Sequence, residues 1–309
     1  MIEIKGLCHC YERSASRVID NISLGILDGE YAAVIGPNGS GKTTLLRHLN
    51  GLLRPAHGRV LVDGLDTGDP KALPEIRRLL GMVFQNPDNQ LVGMTVEEDV
   101  AFGPGNLGLP SKEIRRRVSL ALEAVGLEGF SRREPYSLSS GEKQLVAIAG
   151  VLAMEPRHIA LDEPTAYLAP AARTRVLEVM GKLNQEGITI IHATHEMSEA
   201  APADHLVVMD KGRLVMEDKP ARIFQRAEEL EGLGLDLPPA AELMRRLKRG
   251  GVNVPEDVMT MDQACNLLLE MLDERRSGTT MGAPRAEATS GVDSSVCEAF
   301  PPRRFNRSS

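Results

Sequence analysis

The chain has 309 residues and a mass of 33.6 kDa, with 42% hydrophobic and 26% charged residues, so it can bury one large core and still carry an appendage. A net charge of −7 argues against a general nucleic-acid binder, and no apolar run reaches the roughly 18 residues that a membrane span needs. No secretory signal opens the chain. Aromatic residues make up only 3% and Trp is absent, so the core must be aliphatic.

Residues 1–35 alternate apolar and polar in short runs, with turn signals at Asp20-Asn21 and Asp28-Gly29, as antiparallel strands do. Within them Cys8-His9-Cys10 imitates a metal cluster. A strand there would put Cys8 and Cys10 on one face and His9 on the other. With only Cys265 and Cys297 far downstream, reduced thiols are expected. Tyr31-Ala32-Ala33-Val34-Ile35 reads as a buried strand. Residues 36–44 follow as Gly36-Pro37-Asn38-Gly39-Ser40-Gly41-Lys42-Thr43-Thr44, matching G-x-x-x-x-G-K-[ST]. The glycines let successive backbone N–H groups face one concavity that cradles phosphate oxygens. Lys42 supplies a cation for the β- and γ-phosphates, and the Thr43 hydroxyl can ligate Mg²⁺. Thr44 opens a helix whose N-terminal dipole favours the anion, and the helix ends near Asn50-Gly51. This stretch predicts that the chain binds a nucleoside triphosphate.

Further strands are expected at residues 59–63 and 81–85, the second ending abruptly at Asn86-Pro87. Residues 88–156 carry helical spacing, notably 111–125 and 145–154. Buried strands follow at 158–161 and 188–193, separated by a helix over about 171–185, and Asp210-Lys211-Gly212 marks a hairpin. Strands alternating with helices imply a parallel α/β core. Arg115-Arg116-Arg117 is read as a solvated helix face. The character changes after residue 230. Two amphipathic helices, 240–248 and 261–274, form an extension over 231–275, and residues 276–309 are expected to be a disordered tail.

Hydrolysis of a triphosphate needs a metal, a positioned water and donors around the γ-phosphate. Ile159-Ala160-Leu161-Asp162-Glu163 is an apolar strand ending in two carboxylates. Alternation along the strand gives them different tasks: Asp162 to hold Mg²⁺ and Glu163 to polarise the attacking water. His195 follows the strand 188–193, which places it beside the phosphate loop if the sheet is parallel.

These positions, with Leu138-Ser139-Ser140-Gly141-Glu142-Lys143-Gln144, resemble the ATPase subunit of ATP-binding-cassette transporters over residues 1 to about 225. Residues 36–44 correspond to Walker A, 138–144 to the signature, Asp162-Glu163 to Walker B with its catalytic glutamate, 166–170 to the D-loop and His195 to the switch histidine. The resemblance implies a RecA-like P-loop ATPase core with an N-terminal antiparallel β subdomain, a helical insert over about 88–156 and a C-terminal helical extension. It implies that Tyr11 stacks on adenine and that Gln85, the Q-loop glutamine, joins Thr43 and Asp162 at Mg²⁺ and assists Glu163 and His195. Residues 83–91 and 96–104 resemble the energy-coupling factor importers of cobalt, nickel and vitamins. The expected partners are then a second ATPase subunit, a transmembrane coupling subunit and a separate solute-binding membrane subunit, with no nucleic acid. The expected location is the cytoplasmic face of the cell membrane. ATP would be sandwiched between one chain's Walker A and its partner's signature, here Ser139, Ser140 and Gly141.

Three positions depart from the family pattern. Ser140 replaces a usual Gly, Glu142 a usual Gln and Ala169 the usual D-loop Asp; Leu145 also stands where Arg is frequent. Because the signature acts on the partner's nucleotide, these changes would burden the partner's site and leave this chain's own residues intact. The competing readings are a soluble switch protein built on the same cassette and a weakly hydrolysing regulatory subunit.

Overall fold

The computed structural model describes residues 1–11, 17–255 and 257–277. The chain divides into two compact units, Met1–Ala264 and Cys265–Ser309.

Two sheets build the first unit. The smaller is antiparallel, with β1 (Ile2–His9) between β2 (Ile19–Ile26) and β4 (His57–Val62), and with β5 (Leu65–Asp66) at its edge. The larger has the order β10-β9-β3-β8-β7-β6, from β3 (Tyr31–Ile35), β6 (Leu80–Val83), β7 (His158–Asp162), β8 (Thr189–Thr194), β9 (His205–Asp210) and β10 (Arg213–Asp218). Its pairs are parallel except for the β9–β10 hairpin. The register pairs Ile35 with Thr194 and Asp162 with Ala193, so β3, β7 and β8 end level with one another.

The larger sheet is buried on both faces, which explains its nearly continuous apolar strands. Tyr31, Ala33 and Ile35 join one core, and Ala32 and Val34 join the other. The first core packs the sheet against α3 (Val96–Asn106), α4 (Ser111–Ala124), α5 (Ser140–Leu152) and α6 (Pro170–Gln185). The second lies toward the smaller sheet and takes in α1 (Lys42–Leu49) and α2 (Leu73–Leu79). Short helices α7 (Met197–Ala200), α8 (Pro220–Phe224) and α9 (Ala227–Gly232) follow β8 and β10, then α10 (Pro239–Arg249). Leu235, Ala241 and Met259 of the expected extension join the first core. Helix α11 spans Met261–Ser277, and the rest of the expected tail, 278–309, lies outside the described residues.

Local chemistry shifts several boundaries. Helix α5 begins at Ser140, at the signature and ahead of the apolar spacing of 145–154, because Ser139 and Glu142 form a capping box in a run of polar residues that periodicity does not show. A second such box, Thr95 with Glu98, starts α3. Strand β6 stops at Val83, and Phe84 leaves the sheet: its N–H donates to Gln90 Oε1 and its carbonyl accepts from Gln90 Nε2, both at 2.8 Å. Strand alternation fails at Cys8-His9-Cys10. Register shifts in β1 leave Leu7, Cys8 and His9 all buried, while Cys10 lies beyond the strand end and is exposed. Cys8, Cys10 and Cys265 are free thiols.

Two histidines are carried wholly into the cores. Burial pushes His48, with His9 beside it, down to about 4, and His192 down to about 3, from an ordinary value of 6.5. Below 6.5 the unfolded chain binds protons that the folded chain refuses. Stability is therefore complete above that value and declines as pH falls toward the folded values, by about 1.4 kcal/mol per pH unit for each group. Thermal melts between about pH 7.5 and about pH 5 should record this loss, and His48→Leu should reduce its slope. A melting temperature independent of pH across that range would contradict it.

Candidate functional site

The phosphate loop leaves β3 and enters α1, and its shape depends on β9 and β10 as much as on its own residues. A Cβ at Gly36 would lie 2.2 Å from the Met209 carbonyl oxygen and 2.7 Å from Ser40 Oγ, so only glycine fits against the end of β9. The Gly212 N–H donates to the Ser40 carbonyl at 2.9 Å and ties the loop to the β9–β10 turn. Gly41, at φ +107, caps α1 in a conformation that side chains resist.

Lys42 opens α1 and folds back under the loop, where Nζ donates to the carbonyls of Gly36 at 2.8 Å and Pro37 at 3.3 Å. Burial draws its pKa down, while Glu163 and Asp162 act in the opposite direction. Thr43 donates its hydroxyl to Asp162 Oδ1 at 2.9 Å. Asp162 is 4% exposed, and burial raises its carboxyl pKa despite that hydrogen bond.

The two carboxylates part for a reason other than strand alternation. β7 ends at Asp162, and Glu163 has left the strand at φ +47, its N–H donating to the Ala193 carbonyl of β8. This strained turn aims Glu163 toward three other groups. Gln85 Nε2 donates to its Oε2 at 3.0 Å, His195 Nδ1 lies 3.3 Å from the same oxygen, and Lys42 Nζ lies 3.8 Å from Oε1.

These groups line a cavity of about 560 Å³ together with residues 38–44. Thr43, Gln85 and Asp162 also line an adjoining cavity of about 340 Å³, and offer it the hard oxygen donors that suit Mg²⁺. Gly36 and Pro37 contribute through the carbonyls that hold Lys42 rather than as lining. Tyr11 is 37% exposed; its hydroxyl lies 3.2 Å from Thr44 Oγ1 and its ring meets His9 edge-on.

Ser139, Ser140 and Gly141 do not line this cavity; they form the start of α5. Glu142 Oε2 accepts from the Ser139 N–H at 2.8 Å and from its hydroxyl at 2.7 Å, and Ser139 holds the carboxyl below its usual range. The Glu142 charge is therefore turned into the helix cap. Ser140 is exposed, whereas a Cβ at Gly141 would come 2.5 Å from the Ala172 Cβ, so this glycine permits the close approach of α5 to α6. Ala169 is the N-cap of α6 and supplies no capping side chain, the part an aspartate could play.

The cavity also includes Tyr167, from the stretch 166–170 that corresponds to the D-loop, and residues that no motif marks, Arg173 and Thr194 among them. Tyr167 has a positive φ of 65°, uncommon for a side chain of its size, and is 79% exposed. Arg173 stands on α6, one turn beyond Ala169, and no motif position marks it.

Residues 19–166 match the family described as ABC transporter. The chain is 53% identical over 265 residues to the cobalt import ATP-binding protein CbiO of Syntrophus aciditrophicus, spanning 86% of this chain and 95% of that protein. It is 48% identical over 261 residues to the energy-coupling factor transporter ATP-binding protein EcfA1 of Clostridium perfringens, spanning 84% and 93%. Among solved structures, cbiO1 of Clostridium perfringens, described as part of the ABC transporter complex cbiONQ, superposes with a TM-score of 0.69 at 38% identity, covering 79% of this chain and 98% of that one. The dimeric post-hydrolysis cassette MJ0796, bound to ADP and Pi, superposes at 0.65 with 31% identity, over 71% and 99%.

Proposed function

This chain belongs to the ABC transporter ATP-binding subunits of the energy-coupling factor type, and we propose from that premise how its residues work and with what it assembles. It is an ATPase, the motor of an ATP-driven importer. The observation that carries the residue assignment is the convergence of Lys42, Gln85 and His195 on the single carboxylate of Glu163, at the mouth of the phosphate loop.

In this reading residues 36–44 hold the triphosphate. Lys42 swings from the Gly36 and Pro37 carbonyls to the β- and γ-phosphates. Thr43, Asp162 and Gln85 would hold Mg²⁺, which would supply positive charge beside the phosphate oxygens. Glu163 polarises the attacking water, His195 contacts the γ-phosphate, and Tyr11 stacks on the adenine. Ser139, Ser140 and Gly141 serve the nucleotide bound by a second ATPase subunit. The Ser139 hydroxyl is already engaged by Glu142, and α6 starts uncapped; both support a slower composite site there. Residues from about 231 onward act as an extension to the ATPase core.

No helix among the described residues is long and apolar enough to cross a membrane. Peripheral attachment at the cytoplasmic face is supported by an open apolar groove of about 680 Å³ beside Gln85, lined by Leu52, Phe84, Leu91, Val92 and Phe102 among others. Val92 and Phe102 are 68% and 59% exposed, the kind of apolar surface that a helix of a transmembrane coupling subunit would cover. The cargo, a metal ion or vitamin, would be bound by a separate membrane subunit. The soluble switch and weakly hydrolysing readings are not favoured, since the relatives are ATP-binding subunits of importers.

Affinity purification of the full chain from detergent-solubilised membranes tests the assembly. It should recover integral-membrane partners, and ATP turnover should rise in their presence. Recovery of a free cytosolic protein whose turnover ignores those partners would return the soluble switch.

A further inference from the structure

Beneath the cavity floor lies a buried polar cluster that the family motifs leave unassigned. Glu199 of α7 is 2% exposed, yet its carboxylate is crowded with donors. The Thr165 hydroxyl lies 2.7 Å and 2.9 Å from its two oxygens, and the Thr194 hydroxyl donates to Oε2 at 2.9 Å. Thr165 and Thr194 are 3% and 1% exposed, so neither hydroxyl is spent on solvent. Thr194 Oγ1 in turn accepts the Glu196 N–H at 3.0 Å. Arg173, on the cavity wall, brings Nε to 3.7 Å from Glu199 and Nη1 to 3.5 Å from Glu196. On the other side stands His192, with Nε2 3.5 Å from Glu199 and Nδ1 3.1 Å from the Tyr31 hydroxyl.

Placement gives the cluster its meaning. Thr165 stands two residues after Glu163, in the turn that leaves β7. Thr194 immediately precedes His195, at the end of β8. One carboxylate therefore binds the roots of both loops whose side chains meet at 3.3 Å above it. A buried charge costs folding energy, and apolar residues of similar volume would fill this space without that cost. What they would not do is fix the spacing of two loops through directed hydrogen bonds.

We infer that Glu199 is a positioning residue for ATP hydrolysis, its buried carboxylate gathering the hydroxyls of Thr165 and Thr194 and so holding Glu163 and His195 at working distance. Glu199 itself is buried and does not line the cavity, so it acts through its neighbours. The phosphate loop is anchored elsewhere, on β9 and β10, so loosening this brace leaves nucleotide affinity in place and slows the chemical step. The inference rests on the reading that Glu163 and His195 act on the γ-phosphate.

Steady-state hydrolysis by the full chain, with affinity measured separately by calorimetry, provides the test. Glu199→Ala should lower kcat by about tenfold or more while KM for ATP changes by less than about twofold. Glu199→Gln keeps an acceptor oxygen and should recover most of the rate. Thr194→Val, nearly the same shape as threonine, should lower kcat several-fold and carries the test alone if Glu199→Ala does not fold. Combining Glu199→Ala with Thr194→Val should add little to the larger single loss. The inference is overturned if kcat and KM move together, if glutamine is no better than alanine, or if the two losses multiply. Glu163→Gln separates it from the underlying reading. If that variant still hydrolyses ATP, the reading itself fails. If it is inactive while Glu199→Ala is unimpaired, only the role of Glu199 fails.

Discussion

Replacing Lys42 with alanine is expected to abolish tight ATP binding, with a loss of at least about 100-fold in affinity. Lys42 is 5% exposed and its ammonium group is held by the carbonyls of Gly36 and Pro37, with Glu163 Oε1 3.8 Å away. Those two carbonyls are weak holders beside a triphosphate, so the cation is free to exchange them for phosphate oxygens. A hydrogen bond to a charged group contributes about 1.5–3 kcal/mol, and contacts to two phosphates would exceed the roughly 2.7 kcal/mol that 100-fold represents. The loop backbone does not depend on the lysine, because its curvature comes from the contact of Gly36 with Met209 and from Gly212 on Ser40. A folded variant that does not bind is therefore the expected result. Calorimetric titration with ATP measures it directly, and unchanged affinity would remove residues 36–44 from the nucleotide site.

Glu163→Gln should separate binding from hydrolysis. The amide keeps the shape of the carboxylate and leaves an oxygen for Gln85 and His195, but it cannot polarise water as a base does. General-base catalysis contributes about 10²–10⁴-fold, so turnover should fall by at least about 100-fold while ATP still binds. With hydrolysis blocked, the variant should accumulate in an ATP-bound dimer, visible as a shift in size-exclusion chromatography when ATP is present. Wild-type turnover in this variant would show that another group activates the water.

Much of the fold was legible because the larger sheet is covered on both faces. Tyr31–Ile35 appears as an unbroken apolar run and Ile159-Ala160-Leu161 as the apolar centre of β7, and the phosphate loop fills the gap between the first run and a helix. Helix α4 was equally plain, since one apolar stripe faces the core along an otherwise charged helix. Other features depend on partners that no local window contains. The end of β6 is set by the side chain of Gln90, and the bulged burial of Cys8 and His9 by the register of β1. Glu163 was identified for its chemistry, but its direction comes from a left-handed turn that spacing does not reveal. Arg173 and Glu199 carry no signal of their own, because charged residues on helices are ordinary in sequence. Only the fold brings one to the cavity wall and the other beneath it.

The dependence of the phosphate loop on the β9–β10 hairpin separates two lengths that are easily confused. All the motif residues lie between Tyr11 and His195, whereas the surface against which the loop is moulded runs on through Met209 and Gly212. The span that identifies a cassette in sequence is thus shorter than the span that can hold a nucleotide. Drift in the unremarkable hairpin, where no motif would register it, reaches the ligand as directly as drift in the loop itself.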